Sequence, residues 1–460
     1  MRYVYYSVLP KGCNRIYSYL SDEDIKIGSY VRIPFGKWDT VLKGEVRSIN
    51  IYEEDKVPYP LDKMKKIIET IDEETYDIDD YEVYNQTTIY DYIYNHLNKE
   101  GYLDRDFSLP KSDDENRMMF ADGALDGISI YHMPNVTLDD DTRAQLAKAL
   151  REAANGNPSE ANDIFLDVKE HHNAVDFVLG LQDYIMDHMD SLDPNELWHY
   201  AFYLMLNETD RELVKIGLSI LELFREPEEK IKRAFRTLGL SDEFTLFVIF
   251  NMKHWENANE EIFNLAKHVY GWGRVHAVRL IEPSTQEIKD WLLREGYRNE
   301  VMDGYTALTC FEGSDAALRL DSKLSDEDYR HIGDLIVNML DDEPIPGISS
   351  LEDPADILYK YFKQSEGRVL DIDDYTTIYF IGGYAHYEDL EVLEAYADRL
   401  MRSDECKQCV EEALKRGHGM EVADYLELPY KDTILKAMDD DFENGFYIAH
   451  YLTMIKSNTH

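Results

Sequence analysis

Three stretches fix the reading of this 460-residue chain: EKIKRAFRTLGLSDEF at 229–244, EEIFNLAKHVYGWGRV at 260–275 and QEIKDWLLREGYRNEV at 286–301. In each, an isoleucine (Ile231, Ile262, Ile288) precedes a glycine (Gly239, Gly271, Gly296) by eight or nine residues. A large apolar side chain follows that glycine: Leu240, Trp272, Tyr297. The pattern predicts a helix that ends at a glycine in left-handed geometry, a turn, and an antiparallel partner helix. A pair of that kind cannot bury its apolar stripe alone, so copies 31 and 26 residues apart, a period near 28–30, predict a stacked, HEAT-like α-solenoid. The isoleucines are expected to face inward, with Glu229, Glu260 and Gln286 facing outward.

Working outward, helical periodicity with short breaks at Gly, Pro or Asp extends from 141 to 460. Its first helix, 142–154, follows the acids Asp139, Asp140 and Asp141, read as a cap, and stops at Asn155-Gly156-Asn157-Pro158. Towards the N-terminus the period changes. Residues 2–9, 29–33 and 43–49 are Tyr- and Val-rich or alternate apolar with polar, with turn residues at Pro10 to Gly12, Gly28 and Pro34 to Gly36. This predicts a small, partly open barrel or sandwich. Between the two lies 73–140: an acidic run, a short helix over 87–98, and a segment, 101–141, expected to be irregular. The fold class is therefore α+β, with a β-rich domain at 1–72, an acidic linker at 73–140 and an all-helical repeat domain at 141–460.

The net charge of −44 is unevenly placed. Residues 1–70 hold 12 basic and 10 acidic side chains, leaving a net of −46 on the remainder. Such a surface repels nucleic acid and anionic membrane, so any DNA contact is expected on the first domain alone. The longest largely apolar run, 244–250, is far shorter than a membrane span, and four cysteines make no disulfide framework. A cytoplasmic protein without membrane contact is expected.

Candidate chemistry is sparse. Cys406-x-x-Cys409 has no second ligand pair, and the adjacent His171 and His172 lack the spacing that turns two imidazoles to one side of a helix. No phosphate loop, dinucleotide fingerprint or nucleophile elbow is present. Neither metal nor cofactor is expected. Trp272, Arg274 and His276 of GWGRVH form a candidate partner groove, with interhelical packing of the tryptophan as the simpler alternative.

Over 17–70 the chain resembles the N-terminal domain of primosomal protein N′, the replication-restart helicase. The shared elements are Tyr17-x-Tyr19, GSYVRIPFGK at 28–37, Gly44-x-Val46 and PLDKMKKIIE at 60–69. The resemblance implies contact with DNA at forks or single-strand ends, and makes Tyr17, Ser18, Tyr19, Arg32, Lys37, Trp38 and Arg47 the candidate DNA-binding residues. Arginine and lysine would meet phosphates, and aromatic rings would stack bases. One departure is Ser18, which stands where that family has an acid associated with the 3′-terminal nucleotide, and it weakens the expectation of end-specific recognition. The helicase core is missing. The whole chain also resembles a bacterial family labelled limonene hydroxylase, which implies a monooxygenase; oxygen insertion needs haem, flavin or metal, and no such site is legible. The sequence thus leads to a non-catalytic adaptor that touches DNA with its β domain and a protein with its helices. The alternatives are a monooxygenase and a pure protein–protein scaffold.

Overall fold

A computed structural model describes residues 2–10, 16–35, 40–53, 64–71, 88–110, 120–133 and 137–433. The β-rich start is an antiparallel five-stranded sheet: β1 (Arg2–Pro10), β2 (Tyr17–Tyr19), β3 (Tyr30–Phe35), β4 (Thr40–Glu53) and β5 (Glu69–Ile71), in the order β2-β1-β4-β3-β5. Its two edges approach each other. Leu20 N donates to Lys65 O (2.9 Å) and Ile67 N to Leu20 O (2.8 Å), a parallel bridge that curls the sheet towards the expected partly open barrel.

The alternation predicted for 43–49 breaks once. Val8 pairs with Val46 but Ser7 pairs with Ser48, so Arg47 is the extra residue of a bulge. The extra residue moves Ile49 onto the side that carries Leu42 and Val46, and all three pack with Tyr6, Val8, Tyr19, Val31 and Ile33. The sheet is therefore apolar inside despite an irregular strand.

Helices account for nearly all the rest, and the described residues divide into two compact units, one ending at Gly273 and one beginning at Arg274. That boundary differs from the ones expected at 72 and 140. In the first unit, helix Asp140–Ala154 starts on the Asp139 carboxylate, which accepts from Thr142 N (2.7 Å), and ends at Asn155 and Gly156. Pro158 opens helix Pro158–Val168. The short helix expected over 87–98 is Ile89–Asn95. Within 101–141, expected to be irregular, Ala124–His132 is a helix. Helix Thr245–Met252 is buried nearly all round, from Thr245 and Val248 to Met252, which explains why its sequence has no polar stripe.

The three aligned copies place helix starts at Glu229, Ala258 and Gln286, in helices Glu229–Gly239, Ala258–Ala266 and Gln286–Trp291, the last continued by a π-helical turn at Leu292–Gly296. Ile262 and Ile288 are buried, Ile231 is only half-buried, and Glu229, Glu260 and Gln286 are exposed. The glycines do close or follow these helices, but not for the expected reason. None has positive φ. They are needed for close packing: a Cβ on Gly239 would lie 2.9 Å from Val248 Cγ1, and one on Gly271 would lie 2.7 Å from Asp242 Oδ2.

In the second unit, helices Asp326–Met339 and Ile372–Tyr387, separated by helix Pro354–Ser365, precede helix Glu391–Met401. Ser325 caps the first and Asp371 the second, the latter in a reciprocal box with Asp374. Tyr329 and Tyr361 stack face to face at 4.6 Å in its core. No described helix is long and apolar enough to cross a membrane.

Candidate functional site

Helix Pro194–Asn207 is positioned by Asp193, whose carboxylate accepts from Asn195 N (2.9 Å) and Glu196 N (3.3 Å). From that start, Glu196, His199, Tyr200 and Tyr203 recur at three- and four-residue steps and so share one side of the helix. The turn at Gly156 (φ 76°) and Asn157 sets the neighbouring helix beside it, presenting Glu160 and Asp163 one turn apart. These residues form one wall of a cleft of about 970 Å³. Tyr17, Ser18, Tyr19, Pro34, Phe35 and Lys65 of the sheet domain form the other.

The walls are held from behind. Tyr200 is buried and donates to Asn162 Oδ1 (2.7 Å), while Asn162 Nδ2 donates to Glu208 Oε1 (2.8 Å). Burial pushes both the Tyr200 hydroxyl and the Glu208 carboxyl up from their ordinary values. On the sheet side the Tyr17 ring meets Phe35 edge-on at 4.9 Å. Among the described lining residues Lys65 is the one cation, set against Glu160, Asp163 and Glu196. Glu160 is shared with Lys148 outside the cleft (2.9 Å). A cleft lined by tyrosines and carboxylates attracts a cation and repels a phosphate.

The structure brings three of the sequence-predicted DNA residues, Tyr17, Ser18 and Tyr19, to this cleft. Tyr19 is buried in the sheet core and Tyr17 packs against it, so neither ring stands clear as a stacking platform. Arg32 pairs with Glu69 (2.8 Å) across β3 and β5, and Arg47, exposed at the bulge, pairs with Glu45 (2.9 Å). Lys37 and Trp38 lie outside the described residues.

Trp272, Arg274 and His276 are buried, which places them in packing and not along an accessible groove. The Trp272 ring lies over Gly127, where a Cβ would come within 2.2 Å of it, and stacks on Tyr131 at 5.9 Å. The Asp242 carboxylate accepts from Gly271 N (3.1 Å) and Gly273 N (2.8 Å), fixing the start of helix Trp272–Leu280. Arg274 donates to the carbonyl of Arg298 (3.0 Å) and lies against the Trp291 ring. Burial pushes the His276 imidazole down to about 3, so it is neutral at physiological pH. Cys406 is buried, Cys409 is half-buried and neither is bridged; among the described residues no trio of His, Cys, Asp or Glu is placed to hold a metal ion.

Sequence reasoning missed a buried ionic cluster. Lys215 of helix Arg211–Leu221 is 1% exposed, and its Nζ stands 2.7 Å from Glu243 Oε1, 2.8 Å from Asp126 Oδ2 and 2.9 Å from Glu212 Oε1. Arg211 adds bridges to Asp122 (2.8 Å) and Glu243 (3.2 Å), and Glu243 Oε2 accepts from Gly123 N (2.9 Å). Burial would lower the Lys215 ammonium, but its three carboxylates outweigh that and hold it well above the ordinary value. Burial pushes Asp126 up to about 7 against the pull of Lys215. It would push Glu243 up too, yet Lys215 and Arg211 hold that carboxyl below its usual range. The cluster anchors helix Ala124–His132 to the helical body, and none of its members lines the cleft.

Neither a protein-family model, nor a curated protein, nor a solved structure matches this chain.

Proposed function

We propose that the chain is a non-catalytic adaptor whose cleft holds a basic, extended segment of a partner protein. The observation that carries this reading is the lining itself: the aromatic residues Phe35 and Tyr203 line the cleft together with Asp163 and Glu196, and one lysine lines it with them. A lysine or arginine side chain entering there would meet a ring face and a carboxylate together, an arrangement worth about 0.5–2 kcal/mol for the ring alone. The excess of acid over the rest of the chain would steer a basic partner towards the cleft and a polyanion away from it.

A catalytic reading has less support. Strongly displaced titrations concentrate at active sites, but the most displaced carboxyl, Asp126, and its partner Lys215 lie outside the cleft in a sealed cluster. The DNA reading has one observation in its favour, since Tyr17, Ser18 and Lys65 line the cleft together. Against it, Arg32 and Arg47 already carry carboxylate partners.

The experiment is a titration of the full chain with a fluorescent Lys/Arg-rich peptide. Glu196→Gln and Tyr203→Ala should each weaken binding roughly 5- to 30-fold, the equivalent of about 1–2 kcal/mol. Binding that is absent, or unchanged by both substitutions, would refute the proposal.

A further inference from the structure

β2 is the outermost strand of the sheet, and it runs along the cleft, which Ile16 to Tyr19 line in succession. One side of β2 is taken by β1, where Val8, Ser7 and Tyr6 lie opposite Tyr17, Ser18 and Tyr19. The direction of the other main-chain groups follows from Leu20, the next residue. Its N–H donates to Lys65 O (2.9 Å) and its carbonyl accepts from Ile67 N (2.8 Å), so both point away from β1. Main-chain groups alternate sides along a strand. The N–H and C=O of Ser18 therefore point the same way as those of Leu20, while Tyr17 and Tyr19 exchange the bonds with β1. Among the described residues nothing accepts from Ser18 N–H or donates to Ser18 C=O on that side.

An outward main-chain pair on an edge strand is a template for a further strand. Here it stands beside a cavity of about 970 Å³, room enough for a short extended segment. Beyond Ser18 the edge is occupied, because the backbone of 65–67 lies against Leu20, so an added strand ends there. Charge selects what is added: Glu160, Asp163 and Glu196 line the same cleft, against Lys65 alone among the described residues. Side chains of a strand alternate between its two faces, so basic residues at every second position would share the face turned to those carboxylates.

We propose that the partner's basic segment enters the cleft as an added β-strand, pairing its main chain with the outward N–H and C=O of Ser18 on the edge of β2. The proposal rests on the cleft being the partner site and adds the manner of recognition. Main-chain pairing at Ser18 gives affinity without regard to sequence, and the carboxylates require that alternate side chains be cationic.

The test titrates the full-length chain with a fluorescent peptide of alternating lysine and valine, and with two backbone N-methylated forms of it. One form is methylated at the lysine amides and the other at the valine amides. A strand paired along one edge turns only every second amide towards its neighbour. One methylated form should therefore bind roughly tenfold or more weakly, and the other within about twofold of the parent. Ser18→Pro, which removes the outward N–H at an edge position where proline is tolerated, should weaken the parent peptide roughly fivefold, with circular dichroism as the check on folding. Equal affinity of all three peptides, still reduced by Glu196→Gln, would overturn strand addition and leave the partner cleft standing. Equal loss in both methylated forms would overturn it as well. Absence of binding by every form would overturn the partner cleft and strand addition together.

Discussion

Replacing Asp126 with asparagine should raise stability modestly at pH 5 and most at pH 8. In the folded chain burial lifts this carboxyl from 3.8 to about 7. Neither of its oxygens accepts an aligned hydrogen bond, although Lys215 Nζ stands 2.8 Å from Oδ2. Because the folded value lies above the unfolded one, the folded state binds the extra proton. Stability from this group is therefore greatest below about pH 4 and falls as pH rises through the interval to about 7. Each tenfold change in proton affinity is about 1.4 kcal/mol, so the loss approaches a ceiling of about 4 kcal/mol. Asparagine resembles the protonated acid and does not titrate, while Glu212 and Glu243 continue to balance Lys215. Urea unfolding of both proteins across pH 5 to 8 reads the difference, with the variant gaining most at the alkaline end. A variant destabilised by several kcal/mol at pH 8, with no dependence on pH, would refute this reasoning. It would show that Asp126 is an ionised, well-compensated partner of Lys215.

Other consequences follow from packing. Ile262→Ala and Ile288→Ala should each cost about 2–5 kcal/mol by thermal or chemical unfolding, whereas half-buried Ile231→Ala should cost less and Gln286→Ala no more than roughly 0.5 kcal/mol. Gly273→Ala should destabilise by about 1–3 kcal/mol, because the new Cβ would sit 2.4 Å from both Asp242 Oδ1 and Thr245 Oγ1. Lys215→Met should cost about 3–5 kcal/mol in the same assay, since it strands the buried carboxyls of Asp126 and Glu243.

The sequence showed most of the framework and little of the site. The turn at Asn155-Gly156-Asn157-Pro158, the Asp139 cap and the helix starts near Glu229, Ala258 and Gln286 depend on neighbours within a few residues, and local patterns carry that information. The glycines were found but misexplained. Positive φ is a local property that sequence can suggest, whereas Gly271 and Gly273 answer to the carboxylate of Asp242, distant in the chain. Helix Ala124–His132 was hidden because its exposed and buried sides are set by Trp272 over Gly127 and by Lys215 against Asp126. GWGRVH stood out for its unusual composition, and that composition turned out to serve burial. The cleft was half legible. Tyr17, Ser18 and Tyr19 drew attention through a family resemblance, but the carboxylates facing them come from two helices that only the fold brings alongside.

The central proposal is tested most directly by titrating the full-length protein, at about 0.15 M salt, with a Lys/Arg-rich peptide and with a forked DNA carrying the same fluorophore. The expected result is saturable binding of the peptide that weakens as salt rises and is reduced by Glu196→Gln, with no binding of the DNA. Binding of the DNA in preference to the peptide, unaffected by Glu196→Gln, would contradict it.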